Sequence, residues 1–485
     1  MKREKGFKSN LTFFINMKGK NIVIAGAGER GASLAKILIA EGHNVTIIEQ
    51  EGEAAERVSE LDALVIRGNA ASPSTLEKAY VKNADYFIAV TGSDEINIIA
   101  CSLAKSDKCR TMARVNSYDY ITRPVSTVQL KKLGVDIAFC PDLLTATHLA
   151  NLITTTSMLN TSQLARGKIM VVDTTIREGS RARGKSIKDL KLPGGCNAVA
   201  IFRGDEVLIP HGETRIEEND RILFIVKKDK DMDEVLSSLS ALVGKPRRYS
   251  DERGARKIMV AGASRIGVHL CKLLEEEDFT VVLIEEDPEK CRKASEELNK
   301  TLIINGSYTD RELLLEEGIE SADVFLALTE REEINILTSI MARQYGARHS
   351  MALVDRPGLK TILEDVGIDV IISQRWVTVD AIVRQLHKEE FESLTTLDQA
   401  STHIVEVKVK SSCPFAGRRL AKIKDFKSQN VIVAAINRKG NIIVPRGEDT
   451  IEVGDRLILF AKSNSLSWIA KTFGVREEKK RGRLL

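Results

Sequence analysis

Residues 21–31 read NIVIAGAGERG, and residues 257–267 read KIMVAGASRIG. Each is an unbroken apolar run, as a strand covered on both faces requires, followed at once by a glycine turn that opens a helix. The first turn, Gly26-Ala27-Gly28-Glu29-Arg30-Gly31, has the complete Gly-x-Gly-x-x-Gly spacing, whereas the second, Gly262-Ala263-Ser264-Arg265-Ile266-Gly267, has serine at the middle glycine. Between a strand and a helix this spacing makes a phosphate-cradling loop. One copy is weak evidence. Two copies in matching surroundings indicate an internal duplication with two nucleotide-sized sites.

The surroundings do match. Gly26 and Gly262 are 236 residues apart, and so are Glu49 and Glu285, each at the end of the next apolar run. LVIRG at 64–68 returns as LIING at 302–306, and Glu95-Ile96-Asn97-Ile98 returns as Glu333-Ile334-Asn335-Ile336. Strands alternating with helices at this spacing predict parallel, doubly wound sheets whose ligand loops follow the strands at one edge. A β-rich stretch comes after each, with Pro210, Gly212, Asp220 and Arg221 answering Pro445, Gly447, Asp455 and Arg456. The turns before Arg221 and Arg456 are read as hairpin connections that set strand register.

The expected fold class is therefore α/β, with two Rossmann-like doubly wound parallel-sheet domains, each followed by a small α+β domain. The expected divisions are an N-terminal extension at 1–20, a nucleotide fold at 21–140, a crossover segment at 141–164 and a small domain at 165–243. A linker at 244–256 joins these to a second nucleotide fold at 257–373, a crossover at 374–400, a small domain at 401–475 and a charged tail at 476–485. Met17 starts MKGKNIVIAGAG, a natural opening for the first fold, so the preceding residues are read as unstructured or as a mis-assigned start.

Composition narrows the function. The chain has 485 residues, 72 basic against 68 acidic, for a net charge of +4. No basic stripe interleaved with aromatics accompanies that balance, so a nucleic-acid partner is not expected. No run approaches the ~18 apolar residues that span a bilayer, and the N-terminus lacks the pattern of a signal peptide. Seven cysteines without a Cys-x-x-Cys pair are read as reduced thiols of a cytoplasmic protein, with no metal site. The seven histidines are scattered, His43 in a helix-to-strand turn, and are read as structural.

In the first loop, Gly26 allows the tight turn, Gly28 lets main chain approach a pyrophosphate, and Gly31 lets helix and strand pack closely. Arg30 adds a cation beside the phosphates. A carboxylate at Glu49 suits ribose hydroxyls and repels a 2′-phosphate, which favours NAD or an adenine nucleotide over NADP. Arg114, at the end of a later strand, is placed to meet phosphate or a carboxylate. In the second loop Ser264 crowds the pyrophosphate approach, and Leu353 stands where Arg114 would recur. Tighter binding is expected at the first site. Neither nucleotide fold is followed by a Tyr-x-x-x-Lys pair or a His/Asp constellation for acid–base work, so binding without catalysis is the reading.

The order of glycine loop, acidic strand end, Thr91-Gly92-Ser93-Asp94-Glu95 turn, crossover helix and small β-rich module, all doubled, resembles the TrkA regulatory subunits of Trk-type potassium uptake systems. That resemblance covers Met17 to about residue 470. It implies paired RCK/KTN nucleotide-binding domains, each with an RCK-C domain, and NAD/NADH or ATP/ADP as regulatory ligand. It assigns Gly26, Ala27, Gly28, Glu29, Arg30, Glu49, Thr91, Gly92 and Arg114 to the first site. Gly262, Ala263, Ser264, Arg265, Ile266 and Glu285 are the matching positions in the second, with Gly31 and Gly267 closing the two loops. It further implies a homotetramer forming a ring of eight domains, docked on the cytoplasmic face of an integral-membrane potassium-translocating subunit. Alternatives are an RCK-type regulator of another channel or exchanger, and an NAD-dependent oxidoreductase.

Overall fold

The computed structural model describes residues 19–121, 124–154, 168–204, 206–229, 231–243, 257–388, 391, 393–397 and 402–473. The extension up to residue 18, the linker 244–256, the charged tail and parts of both crossover segments lie outside the described residues.

The first nucleotide fold runs β1 (Asn21–Ala25), α1 (Glu29–Ala40), β2 (Asn44–Glu49), α2 (Gly52–Arg57), β3 (Leu64–Arg67), α3 (Pro73–Lys78), β4 (Tyr86–Ala89), α4 (Asp94–Ala104), β5 (Arg110–Arg114), α5 (Pro124–Lys132) and β6 (Ile137–Phe139). Its sheet has the order β3-β2-β1-β4-β5-β6, and every pairing is parallel. The apolar β4 is buried throughout, and β1 from Ile22 onward, because helices cover both faces, and Val23, Ala25, Phe87 and Ala100 meet in one core. Chain direction across the sheet reverses between β1 and β4, which opens a crevice at their carboxyl ends.

Helix α6 (Pro141–Thr154) leads to a small module: β7 (Ile169–Thr175), β8 (Cys196–Arg203), β9 (Glu206–Leu208), β10 (Arg221–Lys227) and α7 (Met232–Val243). Its antiparallel sheet is ordered β7-β10-β8-β9. The hairpin reading of the turns before Arg221 and Arg456 is corrected here, because the flanking strands, Glu206–Leu208 with Arg221–Lys227 and Asn441–Ile443 with Arg456–Lys462, are not neighbours. Asp220 is instead a buried acceptor, taking Glu217 N at 2.8 Å and two nitrogens of Arg203 at 2.8 and 2.9 Å. That paired contact ties the turn to β8.

The second nucleotide fold repeats the first: β11 (Lys257–Ala261), α8 (Arg265–Leu274), β12 (Thr280–Glu285), α9 (Pro288–Glu297), β13 (Leu302–Asn305), α10 (Arg311–Glu316), β14 (Val324–Ala327), α11 (Glu332–Gln344), β15 (His349–Leu353), α12 (Lys360–Asp365) and β16 (Val370–Ile372). The order β13-β12-β11-β14-β15-β16 is the same. Helix α13 (Gln374–His387) follows, then β17 (Ser393–Leu397), β18 (Thr402–Lys408), α14 (Asp425–Ser428), β19 (Val431–Arg438), β20 (Asn441–Ile443), β21 (Arg456–Lys462) and α15 (Leu466–Thr472). Strand β17, inside the stretch read as crossover, pairs antiparallel with β18 of the second small module.

Two compact units result, and they are not the two halves of the sequence. One takes in the described parts of Met1–Cys140, Arg384–Val433 and Gly447–Leu485; the other takes Pro141–Val383 and Ala434–Arg446. In the second unit α6, the crossover from the first nucleotide fold, packs on α8 of the second. Ala146, Leu149 and Leu152 share a core with Ile266, Leu270 and Leu274, and Gln374 Nε2 donates to Asp142 Oδ1 at 2.6 Å. Each fully buried aliphatic side chain there contributes about 1.5–3 kcal/mol. In the first unit, Lys20 Nζ donates to Leu386 O and Ser467 Oγ donates to Glu41 O, so the end of α13 and α15 close on the first nucleotide fold.

Candidate nucleotide sites

The first crevice is built by three glycines with three different roles. Gly26 turns the chain at φ +106, and a Cβ there would lie 3.1 Å from Thr91 N and Val90 C. Gly31 lets α1 start against the loop, since a Cβ would fall 1.9 Å from Gly26 O. Gly28 has an ordinary φ of −59, begins α1 without a side-chain cap, and a Cβ added to it meets nothing within 4 Å. Its backbone faces open space at a helix N-terminus, where anions are favoured.

Glu49 holds this loop. Its Oε2 accepts from Ala27 N at 2.5 Å, and Oε1 accepts from Gln50 N and Glu51 N at 2.7 and 2.9 Å. Glu285 does the same for the second loop through Ala263 N and Asp287 N. The carboxylate is therefore fixed beside the glycine loop, with lone-pair capacity left for a further donor such as a hydroxyl.

Across the crevice, Arg114 Nη1 donates to Thr91 O at 3.0 Å and Nη2 donates to Asn116 Oδ1 at 2.8 Å. Thr91 and Gly92 follow β4, and Gly92 is exposed with nothing near a built Cβ. Glu29 is exposed and Arg30 half-buried at the mouth. Ser93 caps α4, and the hydrogen bond from its hydroxyl holds the Glu95 carboxyl below the usual carboxylate range.

Sequence reasoning missed the brace that fixes this wall. Asn97 is fully buried; its Oδ1 accepts from Thr91 N and Oγ1, and its Nδ2 donates to Thr91 O and Arg114 O. Asn335 makes the same four contacts with Thr329 and Leu353. Recurrence of this asparagine in both copies was the available signal. Asn97→Ala is expected to cost about 2 kcal/mol by stranding Thr91 N and Arg114 O. The check is a lowered denaturant midpoint with an unchanged slope.

The second crevice differs at the middle loop position and in its wall. Gly262 turns at φ +104, and a Cβ on Gly267 would meet Gly262 O at 2.2 Å, so the loop geometry is the same. Ser264 Oγ, however, accepts from Gly267 N at 3.2 Å and donates to Leu328 O at 2.5 Å. The hydroxyl caps α8 and ties the loop to the residue after β14, across the crevice that Gly28 leaves open. Arg265 is exposed, while Ile266 turns its side chain into the core with Leu270 and offers a ligand only main chain. Leu353 brings no charge to the position of Arg114.

Comparison with known proteins gives the family and the fold. The TrkA-N domain family matches residues 22–141 and 258–374, and the TrkA-C domain family matches residues 171–239 and 404–474. The chain is 37% identical over 454 residues to the Trk system potassium uptake protein TrkA homolog of Archaeoglobus fulgidus, covering 93% of this chain and 99% of that protein. It is 35% identical over 460 residues to Trk system potassium uptake protein TrkA homolog 1 of Methanosarcina mazei, with coverage of 93% and 99%. Among solved structures, the GsuK channel bound to NAD has the same fold at 20% identity, with a TM-score of 0.50 over 95% of this chain and 80% of that one. Among the described residues no helix is long and apolar enough to cross a membrane.

Proposed function

The chain belongs to the TrkA family, with two TrkA-N and two TrkA-C domains, and from that premise we propose that it is the nucleotide-sensing regulatory subunit of a Trk-type potassium transporter. It binds NAD(H) or ATP/ADP at the first crevice and acts without catalysis. The observation that carries the reading is the contrast between Gly28, open at the head of α1, and Ser264, tied across the second crevice. One chain thus holds one receptive loop and one restrained loop.

In this reading Gly26–Gly31 and Glu49 hold the phosphates and ribose, and Thr91, Gly92 and Arg114 form the opposite wall. Four chains assemble a ring of eight nucleotide folds on the cytoplasmic face of the integral-membrane, potassium-translocating subunit. Nucleotides that favour different ring shapes shift the population between them and so bias the pore. A nucleotide that binds both shapes equally tightly shifts nothing.

The test uses the full-length chain with NADH, NAD, ATP and ADP, measuring thermal shift and solution dimensions for each. A ligand present at 100 times its dissociation constant stabilises by about 2.7 kcal/mol, a shift of several degrees. At least two of the nucleotides are expected to stabilise the protein yet give different dimensions. Indifference to all four, or identical dimensions with every one, defeats the proposal.

A further inference from the structure

Two residues from the turn after α1 and one from the far end of α13 converge in the unit that contains the first nucleotide fold. Glu41 ends α1, His43 precedes β2, and His387 ends α13; all three are buried. His387 Nε2 is 3.0 Å and His43 Nε2 is 3.4 Å from Glu41 Oε2. His403 Nε2, from β18, lies 3.9 Å from Glu41 Oε1 and 2.9 Å from Ser463 Oγ. The side chains of Glu41 and His403 are 0% exposed.

Two atoms in this cluster, Glu41 Oε1 and His43 Nε2, are buried with no hydrogen bond. Orphaned polar atoms at such depth carry a cost that a bound group would remove. A carboxylate with imidazoles around it is a donor set that ligates metal once its protons are displaced.

The spacing also fits. Bonds of about 2.0–2.1 Å in a tetrahedron place ligand atoms about 3.3–3.4 Å apart. The three ligand atoms all lie within 4.8 Å of one another, so small side-chain shifts bring them to a common centre. Nitrogen and oxygen donors in this number suit zinc and its first-row neighbours rather than calcium or magnesium. The geometry points to a structural site for a zinc-class divalent cation formed by Glu41, His43 and His387, with His403 or water as fourth donor.

One rearrangement accompanies binding. Lys20 N donates to His43 Nδ1 at 3.3 Å, which places the proton of neutral His43 on Nε2. A cation at Nε2 moves that proton to Nδ1, and the long bond from Lys20 is given up. Any proton on His387 Nε2 leaves to solvent. The bound cation would staple α1 to α13, independently of nucleotide.

The experiment uses the full-length chain, stripped with chelator and titrated near neutral pH with Zn2+ against a chromophoric competitor, and in parallel with Co2+. Stoichiometric uptake is expected, with visible Co2+ bands of a tetrahedral nitrogen–oxygen site. Glu41→Gln, His43→Gln and His387→Gln should each weaken binding by about 100-fold or more. Circular dichroism confirms that each variant is folded. A wild-type chain that retains neither metal, retention equal to that of the folded variants, or a thiolate charge-transfer band from the free cysteines overturns the site.

Discussion

Gly28→Asp is expected to abolish nucleotide binding at the first site while leaving the protein as stable as before. The two halves of that statement have separate causes. The native φ of −59 suits any residue, and a Cβ meets nothing within 4 Å, so no strain or clash opposes the substitution. Aspartate is moreover a favoured helix N-cap. The new carboxylate occupies the space proposed for a phosphate and takes the N–H groups that would hold it. A like-charge pair at 4 Å costs about 4 kcal/mol at an effective dielectric near 20, so affinity should fall by roughly 100-fold or more. Thermal unfolding with and without nucleotide reads both parts together: the ligand-free midpoint stays and the ligand shift disappears. Retained affinity would mean that phosphate does not sit on this loop.

Gly31→Ala should do the reverse and damage the fold itself. Its Cβ would be 1.9 Å from Gly26 O and 2.9 Å from Gly26 C, both main-chain atoms that no rotamer change can move. Relief requires α1 to lift from the sheet, which uncovers Leu34, Ala35 and Leu38, all fully buried. Overpacking a core commonly costs 1–3 kcal/mol, and a backbone collision of this depth is expected to exceed about 3 kcal/mol. The measurement is the denaturant midpoint of the variant, with hydrogen exchange locating the loss in β1, α1 and β2. An unchanged midpoint would contradict the close approach of helix and loop.

What the sequence disclosed followed from local rules. Apolar runs at β1 and β4, the glycine spacing and the duplicated landmarks were sufficient for the parallel sheets, because each is a short-range signal tied to one backbone requirement. What stayed hidden depended on partners distant in the chain. The apolar face of α6 announces burial but not that its cover is α8. Asn97 reads as a polar residue near a helix start, and only its position under Thr91 makes it a brace. Ser264 is legible as a side chain at the middle loop position, but its bond to Leu328 O, 64 positions away, is not. Glu41 and His387 are separated by 346 positions, and no periodicity connects them. The turn before Arg221 misled for the same reason, since register in that sheet is set by β8 rather than by the adjacent strand.

The exchange of segments between units bears on how the protein is made. Because the unit that holds the first nucleotide fold also takes in the described parts of Arg384–Val433 and Gly447–Leu485, it cannot close until those residues have left the ribosome. The surface of the first nucleotide fold that meets the end of α13 and α15 therefore stays uncovered until those helices emerge. Domains ordinarily fold in the order of their emergence. Here a gene cut at the central linker would release two fragments, each lacking the cover that the other supplies.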